Sequence, residues 1–179
     1  PFLRRPISIF NIDGENVEFI FQVKGRGTEL LSNKKVGDKI DVLGPLGKGF
    51  PMDDYKTAIT VGGGIGTPPM NEIAKHFGEN CRSISGFRNA AAVILQDDLK
   101  SFGAETILCT DDGSMGRKGF VTEALKDEVN KKKPDVIYAC GPNVMIKGVV
   151  DIAKEAGVPC FISLEERMGC GIGACLVCA

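Results

Sequence analysis

Three cysteines crowd the last ten residues, Cys170, Cys175 and Cys178, spaced C-x4-C-x2-C. That is the spacing of a plant-type [2Fe–2S] centre. Such a centre needs several thiolates converging on one small cluster, with backbone N–H groups aimed at the sulfur atoms. Gly171 and Gly173 let the chain fold tightly enough to supply both. A structural zinc site is the alternative, but those sites usually pair two C-x2-C elements, and only Cys175 and Cys178 form one. Free thiols are the remaining reading. A fourth ligand is expected beyond Ala179; Cys160 lies in an apolar strand-like run, where a packed thiol belongs.

A second chemistry is written in glycine. Gly62, Gly63, Gly64 and Gly66, followed by Thr67-Pro68-Pro69, close an apolar run. The fit is G-x-G-x-x-P rather than G-x-G-x-x-G, yet bare backbone at a strand end before a helix suits a phosphate. A tight βα corner is the plainer reading. Cys140-Gly141-Pro142 ends a later apolar run, either as a second ligand edge or as a buried thiol before a turn. Asp111, opening Asp111-Asp112-Gly113, would meet a ribose or make an Asx turn. Arg88 would contact a 2′-phosphate or stand in solvent, which leaves NADH and NADPH both open. Near the start, Arg5-Pro6-Ile7-Ser8 together with Gly25–Thr28 offers a cation and glycine N–H groups, a combination suited to pyrophosphate. His76, the one histidine, reads as an exposed helix end, and Lys131–Lys133 as a solvated helix C-terminus. With no Ser/His/Asp set and no carboxylate pair, no residue is assigned a catalytic acid, base or nucleophile role.

These groups need a frame. From Thr57 onward, strand-like runs (Thr57–Val61, Cys81–Gly86, Glu105–Thr110, Val136–Cys140, Pro159–Ser163) alternate with helix-like ones (Pro69–Phe77, Ala90–Lys100, Val121–Lys132, Val144–Ala156). Five strands alternating with four helices predict a five-stranded doubly wound parallel sheet. Ahead of it, Ile7–Ile12, Val17–Val23 and Lys39–Leu43 read as short strands separated by glycine turns, including Lys24–Gly27. Three strands cannot close a barrel, so the opening strands are expected to precede Pro1. The expected division is 1–54 as a partial all-β barrel, 55–163 as the α/β domain and 164–179 as a truncated cysteine-rich cluster segment.

Composition narrows the class. With 22 basic and 23 acidic residues among 179, the chain has no polybasic face for nucleic acid or a membrane surface. No apolar run reaches the roughly 20 residues that span a bilayer. Cys81, Cys109, Cys140 and Cys160 are dispersed in apolar runs and the cysteine total of seven is odd, which favours a reducing compartment, the cytoplasm by default.

Taken together, R-P-I-S, the Gly25/Gly27/Thr28 loop, GGGIG, T-D-D-G-S, C-G-P and E-R-M-G-C-G-I-G-A-C resemble the ferredoxin-reductase superfamily, and within it the electron-transfer subunits of type 1B dihydroorotate dehydrogenases. The resemblance covers essentially the whole chain, with Thr67-Pro68 a departure in the glycine loop. It implies an FAD-binding β-barrel, a nicotinamide-binding α/β domain and a cluster loop. Arg5, Pro6, Ile7 and Ser8 would then hold the flavin and its phosphates, Ile20, Phe21 and Gln22 would run beside it, and Gly27 and Thr28 would hold the pyrophosphate. Gly62, Gly63, Gly64 and Gly66 with Cys140, Gly141 and Pro142 would frame NAD(H), and Cys170, Cys175 and Cys178 would bind the [2Fe–2S] cluster. The implied partner is an FMN-containing dihydroorotate dehydrogenase catalytic subunit in a heterotetramer serving pyrimidine biosynthesis. A sibling NAD(P)H:ferredoxin or sulfide oxidoreductase subunit and a non-enzymatic redox or metal-binding module are the alternatives.

Overall fold

The computed structural model describes residues 4–177. The chain opens with an antiparallel hairpin, β1 (Ile9–Asp13) and β2 (Asn16–Phe19), then a short helix, α1 (Arg26–Ser32). There follow β3 (Ala58–Gly63), α2 (Asn71–Phe77), β4 (Cys81–Phe87), α3 (Gln96–Ser101) and β5 (Glu105–Thr110). The chain continues through β6 (Arg117–Lys118), α4 (Val121–Lys131), β7 (Val136–Cys140), α5 (Asn143–Ala156) and β8 (Cys160–Ser163).

Strands β3 to β8 form one parallel sheet in the order β6-β5-β4-β3-β7-β8. The central strands β3 and β7 are buried along their whole length, which is why they read as unbroken apolar runs. Side chains alternate between two cores. Ile59, Val61, Ile84, Ile137 and Ala139 meet Leu125 of α4 and Ile146 and Val149 of α5. Ala58, Cys81, Val136 and Tyr138 meet Ile73, Ala74 and Phe77 of α2 and Leu99 of α3. Helices therefore cover both faces, and the strand order reverses between β3 and β7. In an open α/β sheet that reversal opens a crevice at the carboxyl ends of the strands.

The sheet has six strands, not five. The added β6 is only two exposed residues, paired with Cys109 and Thr110, and carries no apolar period to read. The helix expected over Ala90–Lys100 is broken. A 3-10 turn at Ala90–Ala92, held by Asn89 Oδ1 accepting from Ala92 N at 3.2 Å, is followed by Leu95 at φ 62°, and only then does α3 begin. The turn expected at Lys24–Gly27 instead leads into α1, because Thr28 Oγ1 accepts from the N–H groups of Lys24 (2.9 Å) and Gly25 (3.2 Å) and fixes the first helical turn. Lys39–Leu43 forms no strand, and the run expected over Val17–Val23 pairs only as far as Phe19.

One buried ion pair ties the sheet to a helix. Arg82 of β4 reaches Glu128 of α4 at 3.2 Å, with side chains only 13% and 6% exposed, and donates to the carbonyls of Glu128 (2.6 Å) and Lys132 (2.5 Å) at the helix C-terminus. Lys131 also pairs with Glu128. Burial alone raises the Glu128 pKa, but hydrogen bonds from Lys131 and Arg82, and their charges, outweigh it and hold the group below the usual carboxylate range. A lowered carboxyl pKa contributes stability that is present above the unfolded value, about 4.3, and lost as pH falls through the folded value. Arg82→Ala leaves the carboxylate buried with one cation fewer and is expected to cost about 3 kcal/mol in urea unfolding at neutral pH. The deficit should shrink in acid as Glu128 protonates.

Candidate functional site

At the sheet's carboxyl edge, Gly62 stands in register with Cys140, so the glycine loop and the Cys140-Gly141-Pro142 turn are neighbours. They touch so closely that side chains are excluded. A Cβ on Gly66 would lie 2.2 Å from the Cys140 carbonyl oxygen and 2.7 Å from Gly141 N. One on Gly63 would meet Met145 Sδ at 2.6 Å, and one on Gly141, whose φ is +156°, would reach Gly63 at 3.1 Å. Gly64, at φ +54°, faces open space. The result is a rim of bare backbone at the reversal point. Pro68 and Pro69 lack N–H groups and the N–H of Thr67 is taken by Gly64 O at 3.1 Å, which leaves Gly64, Ile65 and Gly66, beyond the end of β3, to offer donors. Cys140 is 5% exposed, and burial pushes its thiol up despite a hydrogen bond with Ser163.

The adjoining strand ends complete this edge. Asp111 N donates to Phe87 O at 3.0 Å, which sets Asp111 and Arg88 side by side and exposed. The Asx turn belongs to Asp112, whose Oδ1 accepts from Ser114 N (2.9 Å) and Ser114 Oγ (2.6 Å). Asp111 is left on the rim. His76 is exposed at the end of α2, against the Phe77 ring.

A separate groove of about 280 Å³ lies at the N-terminal part, lined by Arg5, Lys24, Gly25, Arg26, Gly27 and Thr28. The Arg5 guanidinium lies flat against Gly27, where a Cβ would come within 2.7 Å of Nε. Lys24 and Arg26 were not singled out from sequence; only the turn of α1 brings them beside Arg5. Pro6 and Ser8 are exposed and Ile7 half-buried on the approach to β1, while Ile20, Phe21 and Gln22 follow β2 without regular secondary structure.

In the tail, Cys170 Sγ accepts from the N–H groups of Ile172 (3.5 Å) and Cys175 (3.4 Å). Those backbone donors, with a hydrogen bond from the Cys175 thiol, lower its pKa to about 6. Gly171 and Gly173 turn the loop at φ +73° and +77°. A Cβ on Gly171 would meet Leu46 at 2.7 Å, so the loop rests on the 44–49 segment. Cys178 lies outside the described residues. Among the described residues no group of three or more His, Cys, Asp or Glu is placed to hold a metal. Cys160 sits at the opposite end of β8 from the tail, its thiol pushed up to about 11 by burial.

Residues 60–151 match the model of the oxidoreductase NAD-binding domain family. The chain is 46% identical to the dihydroorotate dehydrogenase B (NAD(+)) electron transfer subunit of Geobacillus thermodenitrificans, over 99% of this chain and 70% of that protein. It is 47% identical to the subunit of the same name from Fusobacterium nucleatum, over 98% of this chain and 70% of that one. A solved structure of an NADH-dependent reduced ferredoxin-NADP oxidoreductase, studied for flavin-based electron bifurcation, superposes with a TM-score of 0.86 at 33% identity, covering 98% of this chain and 66% of the other. The C-terminal domain of a Pyrococcus furiosus hydrogenase aligns with 67% of this chain at 24% identity and a TM-score of 0.53, a likeness of fold alone. Among the described residues no helix is long and apolar enough to cross a membrane. Matched along nearly its whole length to relatives of one name, and sharing the ferredoxin-reductase-like fold, the chain belongs to the electron transfer subunits of dihydroorotate dehydrogenase B (NAD(+)).

Proposed function

We propose that this chain passes electrons between NAD(H), FAD and a [2Fe–2S] cluster and serves an FMN-containing dihydroorotate dehydrogenase subunit in a cytoplasmic heterotetramer. The division of labour is 1–54 for flavin, 55–163 for the nicotinamide dinucleotide and 164–179 for the cluster. The observation that carries the reading is the contact of Gly66 with Cys140 and Gly141, which lays the glycine loop against the Gly141 turn at the point where the strand order reverses. Gly62, Gly63, Gly64, Gly66, Asp111, Cys140, Gly141 and Pro142 would line the dinucleotide site.

The N-terminal groove has the chemistry a flavin's phosphates need. Three cations, Arg5, Lys24 and Arg26, line it, and the first helical N–H groups of α1 have no acceptor within their own helix. That donor set fits a pyrophosphate. The exposed apolar side chains of this part, Val17, Phe19, Ile40 and Val42 among them, fit a barrel wall in need of further cover. For the cluster, the Cys170 sulfur already takes two backbone N–H groups, the environment that sulfur ligands of a cluster use. Cys170, Cys175 and Cys178 would supply three ligands. A flavin takes electrons in pairs and releases them singly, which joins a nicotinamide to an iron–sulfur centre. The chain's own residues bind and orient; none moves a proton.

Removing the Arg5 guanidinium leaves two cations at the groove. Arg5→Ala is expected to weaken FAD retention about tenfold, as one lost charge-assisted contact should, measured by fluorescence of released flavin. The whole reading is tested by reconstituting the full protein with the catalytic subunit. Dihydroorotate should then drive NAD⁺ reduction, and the loss of this chain should stop it without stopping reduction of the catalytic subunit's flavin. NAD⁺ reduction that proceeds without this chain would overturn the proposal. The 0.86 TM-score to a ferredoxin-NADP oxidoreductase favours, as a second reading, a ferredoxin-linked sibling. Turnover with ferredoxin and none with the dihydroorotate enzyme would select it.

A further inference from the structure

The hairpin and the nicotinamide crevice meet at one short helix. Residues Arg5–Ser8 run straight into β1, while α2 follows the glycine loop through the Pro68–Met70 turn, and β1 packs on both that turn and α2. The pairing of β1 with β2 is irregular at this point. Ile9 opposes Phe19 and Asn11 opposes Glu18, so Phe10 is an extra residue with no place in the ladder. A bulge of this kind bends a strand and frees a carbonyl. The Phe10 side chain is buried, and its carbonyl accepts from Asn71 Nδ2 at 3.3 Å, with Asn71 only 1% exposed. One helical turn on, on the same face of α2, Lys75 Nζ donates to Asn11 Oδ1 at 3.2 Å and to Ile12 O at 3.3 Å. Asn11 in turn donates to Glu18 at 3.1 Å, which carries the grip across to β2.

We infer that Asn71 and Lys75 are positioning residues that clamp the bulged strand to the helix of the glycine loop and so set the approach of flavin to nicotinamide. The role rests on the assignment of those two cofactors above. A hydride leaving the reduced nicotinamide carries its electron pair directly to the flavin, so the two rings must come within about 3–3.5 Å, and an error near 1 Å costs about a hundredfold. A helix that grips the strand leaving one cradle and packs on the turn that follows the other sets that distance without touching either ring.

The test uses the full protein loaded with FAD, in stopped flow under anaerobic conditions with NADH. Asn71→Leu removes the donor to the bulge, Lys75→Ala removes the second grip, and Lys75→Arg keeps a cationic donor. The flavin reduction rate at saturating NADH should fall about tenfold in each of the first two variants. NADH affinity should hold, the long-wavelength charge-transfer absorbance between flavin and nicotinamide should weaken, and Lys75→Arg should restore both rate and band. Should Asn71→Leu not fold, Lys75→Ala decides alone, since its side chain is 43% exposed. Unchanged rate and band in Lys75→Ala would overturn the clamp, as would a lowered melting temperature with the band intact. In either case normal reduction of the wild type by NADH leaves the cofactor assignment standing. A wild type that binds FAD and is not reduced by NADH would remove both.

Discussion

Gly66→Ala is expected to cut NADH-dependent flavin reduction about a hundredfold while leaving the protein folded. The added methyl would stand 2.2 Å from a carbonyl oxygen and 2.5 Å from its carbon, both backbone atoms of Cys140 that no rotamer change can move. Either the glycine loop or the end of β7 must shift, and each is a wall of the proposed dinucleotide crevice. Overpacking of this sort costs about 1–3 kcal/mol, within what a domain of this size tolerates. The loss should appear in both NADH affinity and rate, unlike that of the Lys75 variants, which should spare affinity. Gly49→Ala is the control, because a Cβ there meets nothing within 4 Å.

The second large effect is expected at the opposite end of the electron path. Cys170→Ser should abolish the iron–sulfur absorbance and electron paramagnetic signal and stop transfer to any partner, while NADH still reduces the flavin. Cys175→Ser should do the same, because it removes a second of the three proposed ligand thiolates while keeping the N–H that Cys170 accepts. Serine keeps the shape and removes the thiolate that a cluster requires. A tail that instead binds zinc would show neither signal in the wild type, and metal analysis would report it.

Much of the α/β part was legible because its signals are local. The runs at β3, β5 and β7 are short and largely apolar and are followed by glycine or aspartate, the more polar run at β4 ends on Gly86-Phe87, and the structure places all four in the sheet. Parallel topology puts Gly62 and Cys140 at the same edge of the sheet, but their meeting depends on β3 and β7 being neighbours, which no local signal in the sequence carries. What stayed hidden depends on partners distant in sequence or on single dihedrals. The bulge at Phe10 exists only through the register of Ile9 and Asn11 against Phe19 and Glu18, so the Asn71 contact has no sequence signature. The break before α3 turns on Leu95 at φ 62°, a conformation that leucine does not advertise. The α1 helix is masked in sequence by Gly25 and Gly27, which are turn residues, and it depends on Thr28 accepting from the N–H groups of Lys24 and Gly25. Lys39–Leu43 has strand-like alternation, but Ile40 and Val42 are 53% and 63% exposed, and a strand needs a neighbour to pair with.

In the proposed path, electrons enter from NADH, pass through FAD and leave by the cysteine loop. The most direct measurement is anaerobic stopped flow of the FAD- and cluster-loaded full protein with NADH, followed at flavin and iron–sulfur wavelengths. Flavin absorbance should bleach first and cluster absorbance second, with both recovering when an acceptor is added. Cluster bleaching that precedes the flavin, or a loaded protein that NADH leaves fully oxidised, would contradict it.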